Sequence, residues 1–248
     1  MKVSVITVVF NRAGTIAHAI ESLQAQTCPA EHIVVDGAST DGTLEILRHN
    51  LGPSAQLVSE PDAGIYDAMN KGIRMATGDV IGILNADDVY ADNDVLMRVS
   101  RIMDQDDLDA LYGDVEFFHL ENPDKVIRRY SSARFSPRRI AWGWMPAHTA
   151  FFLRRSVFDA YGLYRPDFRI AGDYEFVARI FKNDMLKYRY LPEVLVRMST
   201  GGASTGGWRS TLLLNREVLR ACRENGIRTN MLKLLSKYPL KALEFFRK

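Results

Sequence analysis

Apolar positions along this chain follow two rhythms, and the rhythms alternate. Residues 3–10 are short, β-branched and nearly all apolar, which predicts a buried strand. Over 15–26 the apolar residues Ile16, Ala19, Ile20 and Leu23 recur at helical spacing. A second strand is predicted at 32–35, ending at Asp36, then a polar turn at 37–42 and a helix at 43–51. A brief strand at 56–59, a helix at 65–76 and a fourth strand at 79–84 follow, and the last runs directly into Asn85-Ala86-Asp87-Asp88. Such alternation predicts an α/β fold with a mostly parallel central sheet flanked by helices. Ligands of these sheets bind at the carboxyl ends of strands. Asp36 and the 85–88 cluster both fall there.

Beyond residue 90 the rhythm loosens. A helix is predicted around 95–103, and strands at 111–120, 150–154 and 188–197. Helices are predicted at 156–161 and 173–183. Residues 126–141 read as a basic loop, and 199–207 as a Gly/Ser/Thr loop. From about 211 the pattern is helical and basic. The expected organisation is therefore a domain over 1–207 and a basic helical C-terminal extension over 208–248.

Composition changes this picture little. With 47% hydrophobic and 25% charged residues among 248, the chain is of an ordinary globular class. Cys28 and Cys222 match no metal-ligand spacing or disulfide framework, so a reducing, cytoplasmic setting is expected. No apolar run reaches the roughly 18 residues of a membrane span, and the apolar N-terminal run does not resemble a signal peptide. Charge is uneven. Residues 209–248 hold ten Lys/Arg against three Asp/Glu, whereas 1–208 hold 22 basic and 27 acidic residues. Nucleic acid is not an expected partner. The segment ending KLLSKYPLKALEFFRK sets Leu232, Leu235, Leu240, Leu243 and Phe246 among lysines, a pattern fit for peripheral contact with an anionic membrane face or for packing on the body.

The strongest chemical signal is the 85–88 cluster. Adjacent carboxylates in a strand-end loop suit a hard cation such as Mg²⁺ or Mn²⁺, which takes oxygen ligands and keeps phosphate and water in its shell. Capping of the 95–103 helix accounts for Asp88 and Asp92 equally well, and strand-end placement favours Asp87 for function. Asp36 could accept from a base N–H or a ribose hydroxyl, and Asp41 reads as a helix start. Asp62 reads as a ligand residue or a cap. Lys71 reads as a phosphate contact or a solvated lysine. The dinucleotide and P-loop fingerprints are absent.

Four strings in order, VSVITVVFNR, VVDGASTDGT, SEPDAGIYDAMNKGI and GDVIGILNADD, resemble the inverting family 2 glycosyltransferases of GT-A fold, the colanic-acid and exopolysaccharide branch in particular. The resemblance spans roughly residues 3–205. It implies a nucleoside-diphosphate sugar donor, UDP- or GDP-linked, a saccharide or polyprenyl-linked acceptor, and a divalent metal, Mn or Mg. On the donor side it places Phe10 against the nucleobase, Asn11 beside it, Asp36 on the base, and Asp62 and Lys71 nearby. Asn85-Ala86-Asp87 stands at the Asp-x-Asp motif, with Asn85 on the ribose and Asp87 on metal and diphosphate. An uncharged Asn85 leaves the metal to lean on Asp87. Many relatives carry Arg where this chain has Met69, so phosphate neutralisation falls to Lys71 or another cation.

The resemblance also places the general base at Asp173, in Ala171-Gly172-Asp173-Tyr174-Glu175-Phe176, with an N-cap as a compatible second role and Glu175 as the fallback. In an inverting transfer a single carboxylate takes the acceptor's proton. His148 could meet a phosphate, the metal or the acceptor, or serve structure alone. Trp142 and Trp144 could stack on sugar or pack. Residues 201–205 resemble the family's donor-covering loop. Two rivals remain at this point: a nucleotidyltransferase, disfavoured because only Arg12 stands in the first loop, and a non-catalytic carbohydrate- or nucleotide-binding relative.

Overall fold

The computed structural model describes residues 1–200 and 208–238. The first ninety residues build the parallel part of the sheet. β1 (Val3–Val9) is buried at all seven positions and sits between β2 (Glu31–Asp36) and β4 (Val80–Ile83), parallel to both. β3 (Gln56–Ser59) extends the edge, parallel to β2. The intervening helices α1 (Ile16–Gln24), α2 (Thr43–Asn50) and α3 (Ile65–Met75) turn their apolar faces to the sheet. Near-continuous apolar strands belong in a sheet covered on both faces.

The second half closes the sheet with mixed pairing. β5 (Asp88–Tyr90), α4 (Val95–Gln105), β6 (Ala110–His119), β7 (Asn122–Tyr130), β8 (Phe151–Arg154), α5 (Arg155–Tyr161), α6 (Gly172–Ile180) and β9 (Tyr188–Ser199) follow in sequence. The strand order is β3-β2-β1-β4-β8-β6-β9-β5, with β7 paired to β6. β8 is antiparallel to both β4 and β6, β9 runs parallel to β6, and β5 is antiparallel to β9.

Two expectations are corrected. Residues 126–130 of the expected basic loop 126–141 belong instead to β7 (Asn122–Tyr130), an exposed strand in a hairpin with β6. Backbone pairing at a sheet edge needs no apolar alternation, and Pro123 is tolerated there. Asp88 does not cap α4. It lies in β5, paired with Met198, and Asp94 precedes the helix instead.

The described part of the C-terminal extension is α7 (Trp208–Glu224) and α8 (Met231–Leu235). Val218, Ala221, Cys222 and Leu234 are buried in the same cluster as Phe176, Val177 and Ala178 of α6. The expected donor-covering loop at 201–205 lies outside the described residues, as do 239–248, which carry the apolar and basic end of the chain.

Candidate active site

The loops after β1 and β2 are tied together by polar side chains. Asn11 takes a positive φ of 51°. Its backbone N–H donates to Ser39 Oγ at 2.8 Å, and its Oδ1 accepts from the Thr40 N–H at 2.9 Å. Phe10 stands beyond the end of β1 with 60% of its surface exposed, an aromatic face free to meet a ring. Asp36 is at the predicted strand end, yet it is fully buried. Its carboxylate accepts from the Ser39 N–H and hydroxyl, and from Ser59 Oγ at 2.6 Å. It braces the loops beneath Phe10, and this bracing replaces the base contact expected of it. Asp41 does start the next helix, accepting from the Thr43 N–H at 3.0 Å.

Lys71 also requires correction. Its ammonium has three donors, and three acceptors lie in reach: Asp62 Oδ1 at 2.7 Å, Glu60 Oε1 at 2.8 Å and Pro61 O at 2.9 Å. Donating to the Asp62 and Glu60 carboxylates pushes its pKa up. It neutralises an acidic turn rather than reaching for phosphate. Asp62 therefore neither caps α3 nor stands free. A Cβ on Gly37 would lie 2.9 Å from Asp62 Oδ2, so glycine there lets this turn approach β2. Met69 is buried in the core and could not be the position of an exposed phosphate cation.

The Asp-x-Asp position lies across the crevice edge from this brace. Asn85 Nδ2 donates to Asp88 Oδ2 at 3.0 Å and contacts His148 Nε2 at 3.1 Å. Asn85 Oδ1 is buried with no hydrogen-bond partner among the described residues. Burial, and then the charge of Asp87, raise the pKa of Asp88 well above the usual carboxylate range. Asp87 is half-buried and lines a cavity of about 200 Å³ with Thr15, His18, Val89, Phe118, Leu120, Pro123 and Arg197. No hydrogen bond engages its carboxylate among the described residues. No cluster of three His, Cys, Asp or Glu side chains forms a ready metal cage among them either. One free carboxylate beside an orphaned amide oxygen fits a hard cation that takes its other ligands from phosphate and water. Arg197, which sequence reasoning missed, is a cation sharing a cavity with Asp87.

Asp173 sits in the first turn of α6. Its Oδ1 accepts from the Tyr174 N–H at 2.8 Å and from Tyr66 Oη at 3.2 Å, and its Oδ2 lies 3.8 Å from His148 Nδ1. It is not the N-cap, which is Ala171. Glu217 of α7 accepts from the backbone N–H groups of Arg169, Ile170 and Ala171, each at 2.8 Å. The fallback Glu175 is excluded as a base. It is 2% exposed and is held by Nε and Nη2 of the Arg179 guanidinium. Trp144 is buried, whereas Trp142 is exposed beneath Lys233.

One line of side chains, Asn85–His148 at 3.1 Å and His148–Asp173 at 3.8 Å, thus joins the two motifs that sequence placed 88 residues apart. The chain belongs to glycosyl transferase family 2, whose family model matches residues 4–162. It is similar to the PGL/p-HBAD biosynthesis glycosyltransferase of Mycobacterium bovis, with 32% identity over 226 residues covering 88% of this chain and 82% of that one. It is also similar to the succinoglycan biosynthesis protein ExoU of Rhizobium meliloti, with 26% identity over 83% of this chain and 64% of that one. The fold is shared with S. aureus TarS in complex with UDP-GlcNAc, at TM-score 0.68 and 18% identity, covering 89% of this chain and 66% of that one. It is shared too with the mannosyltransferase PcManGT of Pyrobaculum calidifontis in complex with GDP-Man and Mn²⁺, at TM-score 0.64 and 21% identity, covering 88% of this chain and 64% of that one. The protein is a glycosyltransferase. Among the described residues no helix is long and apolar enough to cross a membrane, and Cys28 and Cys222 are both free thiols.

Proposed function

We propose that this chain transfers a sugar, with inversion and with a divalent metal, from a nucleoside-diphosphate sugar to a saccharide hydroxyl in surface polysaccharide assembly. The relatives named for glycolipid and succinoglycan biosynthesis, and the fold-sharing structures holding UDP-GlcNAc and GDP-Man, support the donor and acceptor classes. The observation that supports the reading most is that Asn85, in the strand-end loop that also bears Asp87, reaches His148, which in turn faces Asp173.

Phe10 stacks on the nucleobase, over loops braced by Asp36 and Asn11. Asn85 Oδ1 takes a ribose hydroxyl. Asp87 would hold Mg²⁺ or Mn²⁺, which would offset charge on the departing diphosphate as a Lewis acid. Arg197 stands in for the cation that Lys71 cannot supply. Asp173 Oδ2 accepts the proton of the acceptor hydroxyl as that oxygen bonds to the anomeric carbon. The bond from that carbon to the diphosphate oxygen breaks, and the electron pair leaves with the nucleotide.

Incubating the protein with a panel of UDP- and GDP-sugars and Mn²⁺ tests this. One donor should be turned over, Asp87→Ala should remove the metal-dependent rate, and Asp173→Asn should slow transfer by about 10²-fold or more. Full transfer by Asp173→Asn would falsify the base assignment, and absence of any donor turnover in the wild type would remove the enzyme reading.

A further inference from the structure

We infer that His148 is a positioning residue for the base, set by the amide of Asn85; this rests on the reading of Asp173 as that base. Asn85 Nδ2 carries two protons and has two acceptors in reach, Asp88 Oδ2 at 3.0 Å and His148 Nε2 at 3.1 Å. An imidazole nitrogen that accepts leaves the ring proton on the other nitrogen. His148 Nδ1–H then faces Asp173 Oδ2 across 3.8 Å. The other oxygen of Asp173 is already engaged by Tyr66 Oη and the Tyr174 N–H. Oδ2 is therefore the oxygen left for the acceptor's proton, and His148 fixes where it points. The gap is longer than a hydrogen bond, and such contacts tighten when substrate fills the site.

The same geometry explains the departure at position 85. Aspartate there would offer His148 only acceptors, and a neutral ring donating from Nε2 would then turn a lone pair on Nδ1 against the Asp173 carboxylate. Asparagine supplies the donor that turns the ring the right way. The uncharged residue thus gives up part of the cation site and gains control over the base.

The test uses the full chain with Mn²⁺ and reads sugar transfer beside the affinity for free nucleoside diphosphate. His148→Ala should lower the transfer kcat by roughly 10–100-fold, the size of effect expected from misplacing a reacting group by about 1 Å. Donor KM and nucleotide affinity should stay within about threefold of wild type on the same ground. His148→Gln, which keeps an acceptor and a donor on one side chain, should recover part of the loss. The double variant His148→Ala/Asp173→Asn should be no slower than Asp173→Asn alone. A loss of nucleotide affinity or a rise in donor KM in His148→Ala large enough to account for the lost transfer would overturn the inference in favour of a donor-side role, and multiplicative losses in the double variant would overturn it as well. Wild-type transfer by Asp173→Asn, by contrast, would strike the base reading beneath it.

Discussion

Gly172 shows how tightly Asp173, the proposed base, is held. A Cβ at this position would lie 2.7 Å from the Tyr66 ring, whose hydroxyl reaches both Ile170 O at 2.7 Å and Asp173 Oδ1 at 3.2 Å. Only a residue without a side chain lets the ring slide under the first turn of α6 and hold the carboxylate from below. Gly172→Ala should push the ring away, at a cost of about 1–3 kcal/mol for overpacking, and should lower kcat as Asp173 loses its anchor. Thermal unfolding and steady-state kinetics on the same preparation check both effects; unchanged values would show that the close approach is dispensable. At this scale the sequence named the residues better than their duties. The positions of Asp87 after a strand and of Asp173 at a helix start were legible, the one from the apolar run before it and the other from the helical run after it. The partners of Lys71 were not, because Glu60 and Asp62 reach it across a turn whose shape no periodicity encodes. The Tyr66–Asp173 contact spans 107 residues and leaves no local signal.

Among the elements, the β1–β2 pair is where acid should act on stability. His32 on β2 is buried beside Thr7 of β1, with Nε2 and Oγ1 3.1 Å apart, and burial depresses its pKa from the ordinary 6.5 to about 4. The unfolded chain takes up this proton near pH 6.5, while the folded protein resists it until about pH 4. Stability from this group is therefore whole above pH 6.5 and is lost as the pH falls towards 4, by roughly 3 kcal/mol in all. Glu31, its neighbour, acts in a lower window. Burial would raise its pKa, but hydrogen bonds from Ser4, Thr77 and Lys2 outweigh that and bring it from 4.5 down to about 2. Its contribution is present above pH 4.5 and fades below it. Urea midpoints between pH 7.5 and 4.5 should fall for the wild type and stay flatter for His32→Gln; parallel curves would mean that His32 is not the responsive group. The elements themselves were readable where a single face or both faces of the sheet are buried, as in β1, β2 and α3. β7 escaped because an exposed edge strand carries no apolar signature, and β5 because three residues of strand between a loop and a helix are too few to show a period.

For the molecule as a whole, the boundary at 207/208 separates pieces that share one core. α7 lends Val218, Ala221 and Cys222 to the cluster that holds α6. Its Glu217 also gathers three consecutive backbone N–H groups, from Arg169 to Ala171, at the entry to the helix that bears Asp173. The family model ends at residue 162, so this support lies outside the segment it matches. Composition hid it, because the basic residues of this region suggest a surface, while the acidic Glu217 that matters is one of three there. Glu217→Ala would strand three donors next to Asp173, and stranded or weakened bonds to a charged acceptor cost on the order of 3 kcal/mol in total. Glu217→Gln keeps one accepting oxygen and should fall between. We expect Glu217→Ala to lower both the urea midpoint and the transfer rate, with donor binding to the β1–β4 edge changed much less, since Phe10, Asn85 and Asp87 stand on other strands. Isothermal titration with nucleotide beside transfer kinetics separates the two effects. If Glu217→Ala unfolds at the wild-type midpoint and transfers at the wild-type rate, the region after 207 is only an attachment and the catalytic unit ends before α7.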